Sequence, residues 1–236
     1  MVNASPGRAV SATTAPRGPV TGGPTVMGVP SLITAHLPVG ALRALPHPDL
    51  RGRGLLLRPW RPQDRDAVVE AFADPDISHW HARTMTPADA ETWLADWPRR
   101  RSAETGIGWA VERADTPGVA GQVSLRALAL AEGLSEISYW VHPRARGRGT
   151  AAAALGLLAD WAFDTLGLHR LVIAHSTANP ASCAVATRAG YALEGTERAS
   201  VRHADGWHDM HVHALLESDP RPHDQDTRQA GTRGQP

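Results

Sequence analysis

The sequence predicts one α/β (α+β) domain built in three layers, a central sheet covered by helices. Two observations carry this reading. Apolar residues between Leu50 and Glu217 switch repeatedly between alternation and three-or-four spacing, giving the order βααβββαβαββ. The flanks, an N-terminal arm over 1–48 and a tail over 218–236, are rich in Pro, Gly and polar residues, show no such period and are expected to be disordered. A domain of the intervening length buries roughly 70% of its unfolded surface, enough for a real core.

Each element follows from local chemistry. Gly54–Trp60 is a short apolar run ended by Pro59-Trp60, a strand. Pro62-Gln-Asp-Arg-Asp66 offers caps for a helix with Ala67, Val68, Ala71 and Phe72 on one face, and Asp74-Pro75 stops it. Thr86-Pro-Ala-Asp89 opens a second helix, whose apolar face is Trp93, Leu94 and Trp97 and which Pro98 is expected to end. Three strands follow at Ile107–Glu112, Gly118–Leu128 and Ser135–His142, the first pair joined by the turn Asp115-Thr-Pro-Gly118. Thr150–Leu166 is an Ala-rich helix with Gly167 as its C-cap. Leu171–Ala174 is a buried strand, Ala181–Ala189 a short helix closed by Gly190, and Tyr191–Val201 with His208–Leu216 a hairpin around Ala204-Asp-Gly206.

Composition excludes several classes of function. The 236 residues carry 24 basic and 24 acidic side chains, so no excess of positive charge marks a nucleic-acid surface. Every basic residue is Arg; without Lys there is no Schiff-base amine and no P-loop lysine. No window approaches 18 apolar residues, and 27–45 is too broken by Pro30 and Pro38 to be an export signal, so a cytoplasmic protein that avoids membranes is expected. Cys183 is the only cysteine, which excludes an internal disulfide. His211 and His213 crowd one strand, but with no carboxylate or cysteine beside them in sequence no metal is expected.

The informative stretch is Val141-His-Pro-Arg-Ala-Arg-Gly-Arg-Gly-Thr150, in which a strand ends, an Arg/Gly loop follows and a long helix starts at once. A helix N-terminus presents free N–H groups and partial positive charge, a natural anion site. Gly147 and Gly149 let the backbone approach a phosphate, and Arg144, Arg146 and Arg148 add bidentate donors. Taken alone, the same loop also fits a tight strand-to-helix turn with solvated Arg.

Arg144-x-x-Gly147-x-Gly149, after a strand and before a helix, resembles the acetyl-CoA signature of the GCN5-related N-acetyltransferases. Leu57-Arg-Pro-Trp60 with Asp64, Glu136-Ile-Ser-Tyr139-Trp140-Val141, and Asn179-Pro-Ala-Ser182 followed by Gly190-Tyr191 and Glu194-Gly195 are similar to the RimJ/RimL-like branch, which acetylates ribosomal-protein N-termini. The resemblance spans 55–216. It implies a mixed, mostly antiparallel sheet splayed at the acyl-CoA site.

The resemblance also implies roles. The CoA pyrophosphate would lie on the N–H groups from Arg146 through Thr150, and Val141 would pair with the pantetheine arm and polarise the thioester carbonyl. Glu136 would be the general base, against a plain strand Glu. Asn179 would bind pantetheine, against a simple helix cap. Ser182 would protonate the leaving thiolate, against a first-turn helix serine. Tyr191 is a secondary acid candidate, otherwise a core aromatic. Trp80, His81 and Trp207 would line the acceptor groove, against ordinary packing.

The expected activity is direct attack of a neutral amine on acetyl-CoA in a ternary complex. An α-amine, with pKa about 7.7–8.0, is neutral near pH 7 far more often than a Lys amine near 10.4. A protein N-terminus is therefore the leading acceptor; a small-molecule amine, or a non-catalytic acyl-CoA-binding module, are the alternatives. The expected state is a monomer or homodimer.

Overall fold

The computed structural model describes residues 32–221. Of the disordered arm expected over 1–48 and the tail expected over 218–236, the stretches 1–31 and 222–236 lie outside those residues.

The core is an eight-stranded sheet in the order β1-β2-β3-β4-β5-β6-β8-β7. The strands are β1 (Leu50–Gly52), β2 (Leu55–Pro59), β3 (Gly106–Arg113), β4 (Thr116–Ala129), β5 (Leu134–Val141), β6 (Arg170–Ser176), β7 (Ala192–His203) and β8 (Gly206–Leu216). Every neighbouring pair is antiparallel except β5 with β6. The helices are α1 (Ala41–Ala44), α2 (Arg65–Ala73), α3 (Pro75–His81), α4 (Pro87–Ser102), α5 (Thr150–Trp161) and α6 (Pro180–Arg188).

Strand alternation sorts the core into two halves. Ile137 of β5 joins Leu155, Leu158 and Ala186 of α5 and α6 in the larger apolar cluster. Its neighbour Trp140 belongs to the other face, packed with Val68 and Phe72 of α2, Ile77 of α3 and Leu94 of α4. Helices thus cover both faces, as the sequence predicts.

The sequence reading leaves out the strand β1, and the structure differs from it in several further places. First, the domain begins before residue 50. Leu42 of α1 is fully buried in the larger cluster. The Glu104 carboxylate accepts the N–H groups of Gly40, Leu42 and Arg43, and Trp109 Nε1 donates to the Pro48 carbonyl at 2.9 Å. The expectation of an unpacked arm up to residue 48 is therefore corrected for the stretch from about residue 36, where the His36 and Leu37 N–H groups bond the carbonyls of Ala131 and Leu130. Its partners lie 60 or more residues away, so local composition cannot reveal them.

Second, Asp74-Pro75 ends α2 and also starts α3: Asp74 Oδ1 caps the Ile77 N–H at 3.0 Å and Pro75 takes the first helical position. Third, α4 runs through Pro98 to Ser102. Trp97 packs so closely beneath β3 that a side chain at Gly108 would meet its ring at 2.7 Å, which holds the helix past its missing donor. Fourth, the chain stays ordered past 217, where Arg221 pairs with Asp164 at 2.7 Å.

Candidate active site

The parallel pair β5–β6 is in register only over Leu134–Glu136 against Arg170–Val172. Beyond it the strands separate. Residues 137–141 of β5 keep β4 on one side and leave their other edge open toward β6. Backbone parity decides which groups face the gap. The His142 N–H bonds the Ala120 carbonyl of β4 at 2.9 Å, so the even residues point to β4. The Tyr139 carbonyl faces away and meets His81 Nε2 at 3.2 Å. Val141 shares the parity of Tyr139, so its N–H points into the gap. An extended pantetheine arm could add there as a strand.

The loop after Val141 has the backbone geometry to receive an anion. Gly147 and Gly149 adopt left-handed φ values of 73° and 72°, and a side chain built at either would meet nothing within 4 Å. Both glycines are thus open to an incoming group. Gly149 is the N-cap of α5 and supplies no side chain to satisfy the first-turn N–H groups. The cradle begins one residue later than expected, because the Arg146 N–H is already bonded to the Pro143 carbonyl at 3.2 Å.

The three loop arginines are braced by partners. Arg144 reaches Glu70 at 3.4 Å and the Val119 carbonyl at 3.1 Å. Arg146 pairs with Asp74 and with Asp76 at 2.9 Å, and its Nε touches the Val141 carbonyl at 3.2 Å. Arg148 sits 3.6 Å from Asp115. These ion pairs tie the loop to α2, α3 and the β3–β4 turn. Thr150 is buried, and its hydroxyl donates to the Ala145 carbonyl at 2.8 Å, closing the loop onto α5.

Across the gap stands α6. Asn179 Oδ1 caps it by accepting the Ser182 N–H at 3.0 Å. The capping reading of Asn179 is realised, and its amide NH₂ remains as a donor. The Ser182 hydroxyl lies 2.7 Å from the Tyr139 hydroxyl, a bond that spans β5 and α6. Burial raises the Tyr139 phenol to about 12, with the Ser182 bond pulling the other way, so the phenol keeps its proton. Tyr139 is the residue that sequence reasoning missed; only the pairing of strand and helix reveals it.

Tyr191, the other tyrosine, is 2% exposed inside the larger core cluster. Burial raises its phenol further still. Its expected role as an acid is corrected: it is the core aromatic of the alternative reading, since the sequence could not tell which of the two tyrosines faces the gap.

Glu136 closes the bottom of the gap as the last β5 residue paired with β6. It projects with Trp140 toward the α2–α4 face, 3.1 Å from Arg126, and both side chains are nearly half exposed. On that face burial lowers the His81 imidazole to about 4, so it is neutral where it touches β5. Trp80 packs edge-on to His203 and His208 of the β7–β8 hairpin, at 6.0 and 6.3 Å between centroids. Trp207, at the start of β8, is 65% exposed.

The Acetyltransferase (GNAT) domain family matches residues 54–192, more than half of the chain. The chain belongs to the GNAT acetyltransferase family. It is an N-acetyltransferase that draws its acetyl group from acetyl-CoA. Its relatives include the N-acetyltransferase YoaA of Bacillus subtilis (strain 168), 25% identical over 171 residues that cover 72% of this chain and 97% of YoaA. YdaF of the same organism, named provisionally as a ribosomal N-acetyltransferase, is 27% identical and covers 69% of this chain and 91% of its own. Among solved structures, Mycobacterium smegmatis RimJ in complex with CoA-disulfide superposes with a TM-score of 0.68 at 23% identity, covering 78% of this chain and 93% of that one. These relatives fit the RimJ/RimL-like resemblance of the sequence motifs.

Proposed function

We propose that this GNAT enzyme acetylates the α-amino group of a protein N-terminus, by direct attack of the amine on acetyl-CoA held in the β5–β6 gap. The open edge of β5 at Val141, followed at once by the uncapped N-terminus of α5, carries the reading. The backbone from Gly147 to Thr150 holds the pyrophosphate, Val141 pairs with the pantetheine arm, and the thioester carbonyl meets the Val141 N–H. Glu136 takes the amine proton at the base of the gap. The Ser182 hydroxyl, backed by Tyr139, protonates the departing thiolate. Holding both reactants in line can lower the barrier by roughly 7–11 kcal/mol.

A peptide acceptor is supported by the exposed Trp207 at the start of β8 and by the half-buried Trp80, which packs on the same β7–β8 hairpin, an aromatic surface suited to an extended chain end. The name of YdaF points the same way. The α-amine also suits a site with one carboxylate base, because much of it is already neutral near pH 8. A panel of peptides with varied N-termini, set against small amines, tests the reading by thiol release from acetyl-CoA. The expected result is turnover of peptides with free α-amines and none of the same peptides blocked at the N-terminus. Turnover of small amines alone would refute the peptide acceptor, and no thiol release with any amine would refute catalysis.

A further inference from the structure

The face of the sheet beneath α6 carries a group of side chains that acetyl transfer does not use. On β6, Leu171 and Ile173 point into the larger apolar core, and the next residue of that face is His175. On β8, Leu215 points into the same core, preceded on its face by His213 and His211. His175 and His211 are direct cross-strand partners, and His213 lies opposite Ile173. Three imidazoles thus stand on one continuous patch where apolar residues would pack more cheaply. The covering helix α6 lowers Cys183 onto them, its Sγ 3.9 Å from His213 Nε2. One ligand atom from each of His175, Cys183, His211 and His213 lies within 4.8 Å of the other three.

The hydrogen bonding of the group is that of imidazoles oriented for a ligand. His175 Nδ1 is bonded to the Ser176 carbonyl at 2.9 Å, and His213 Nδ1 to the Tyr191 carbonyl at 3.2 Å. In each ring a backbone carbonyl fixes the tautomer with the proton on Nδ1, which turns the Nε2 lone pair inward. His175 is 6% exposed and its Nε2 has no hydrogen-bond partner; His211 Nδ1 is likewise buried and unpartnered. Buried polar nitrogens without partners are costly, and two in one cluster call for an occupant.

We propose that His175, Cys183, His211 and His213 form a tetrahedral site for a divalent transition metal of the zinc type. Three imidazoles and one thiolate are a donor set that suits Zn²⁺ and disfavours Mg²⁺ or Ca²⁺. Zn–N bonds of ~2.0–2.1 Å and a Zn–S bond of ~2.3 Å put neighbouring ligand atoms ~3.3–3.6 Å apart. The farthest pair therefore closes by about 1.2–1.5 Å at most, through side-chain rotation. With four protein ligands the site keeps no open position for catalysis, so the metal is structural. It joins β6, β8 and α6, the helix that Asn179 caps and that carries Ser182. The proposal does not depend on the acceptor or on any catalytic role.

The test begins with full-length protein freed of metal by a chelator. Titration with Zn²⁺ in a calorimeter is expected to show one site per chain. Cys183→Ser and His213→Gln are each expected to weaken it at least tenfold, the minimum seen when groups supporting a metal site are removed. The exposed His169→Gln serves as the control and leaves it unchanged. Co²⁺ is the second probe and needs no variant. Because the chain has one cysteine, a thiolate-to-cobalt charge-transfer band in the unaltered protein identifies Cys183 as a ligand, and tetrahedral d–d bands report the geometry. Absence of a zinc site, binding that is equal in all three variants, or octahedral cobalt without a thiolate band would each overturn the proposal.

Discussion

The Tyr139–Ser182 hydroxyl pair offers the most discriminating perturbation. The two oxygens are 2.7 Å apart, and the phenol is held near 12. If Ser182 gives its proton to the departing thiolate, Ser182→Ala removes the acid and should lower kcat by about 10²–10⁴-fold, or ~2.7–5.4 kcal/mol. Tyr139→Phe deletes only the group that supports Ser182. The loss of one neutral hydrogen bond, ~0.5–1.5 kcal/mol, corresponds to a drop of roughly 2–13-fold. In the Ser182→Ala background Tyr139 has nothing left to support, so the double variant should be no slower than Ser182→Ala alone. Non-additivity of this kind is the mark of residues acting in series. Since the phenol stays protonated well above neutrality, neither effect should vary between about pH 6 and pH 10. The assay is thiol release at saturating acetyl-CoA, with CoA affinity measured separately by calorimetry. A Tyr139→Phe loss as large as that of Ser182→Ala, additive in the double variant, would refute the order of roles and make Tyr139 the acid. Weakened CoA binding with unchanged kcat would refute an acid role for either.

Further expectations follow from the same geometry. Gly149→Val forces a β-branched residue into φ 72° at the mouth of the phosphate cradle, so CoA affinity should fall at least tenfold in calorimetry with little change in circular dichroism. Glu136→Gln should lower kcat/KM for the acceptor by about 10²–10⁴-fold at neutral pH and progressively less as the amine becomes neutral at high pH; an equal loss at every pH would make the carboxylate a positioning group. Leu42→Ala should cost ~2–5 kcal/mol in denaturant unfolding, because Leu42 is fully buried although it lies in the stretch the sequence presents as a loose arm. Glu104 supplies the pH dependence. Burial alone would raise its carboxyl, but the N–H groups of Gly40, Arg43 and Leu42 and the Arg43 charge outweigh that and hold it below the ordinary value. A depressed folded value means stabilisation that is present above about pH 4.3 and lost as pH falls through the folded value. The melting-temperature gap between the parent and Glu104→Gln should therefore be widest near neutrality and close in acid.

Local sequence determined much of this protein. The Gly147/Gly149 cradle, the start of α5 and the strands β2 to β6 follow from turn chemistry and period, because glycines, caps and alternation act over a few residues. The motifs were enough to place the family. What lay beyond sequence depended on distant partners. Composition marks Pro48 and the residues before it as loose, yet Glu104 and Trp109 anchor them. Three arginines in a phosphate loop read as phosphate donors, and their acidic partners Glu70, Asp74, Asp76 and Asp115 come from three other elements that sequence does not place beside them. Tyr139 and Tyr191 both pack against the larger cluster, and only the fold shows that Tyr139 meets the Ser182 hydroxyl while Tyr191 is fully enclosed. Alternation along β8 put His211 and His213 on one face, but it could not show that β6 brings His175 beside them or that α6 brings Cys183 above. Strand pairing and helix packing join residues tens of positions apart, and that juxtaposition exists only once the chain has folded.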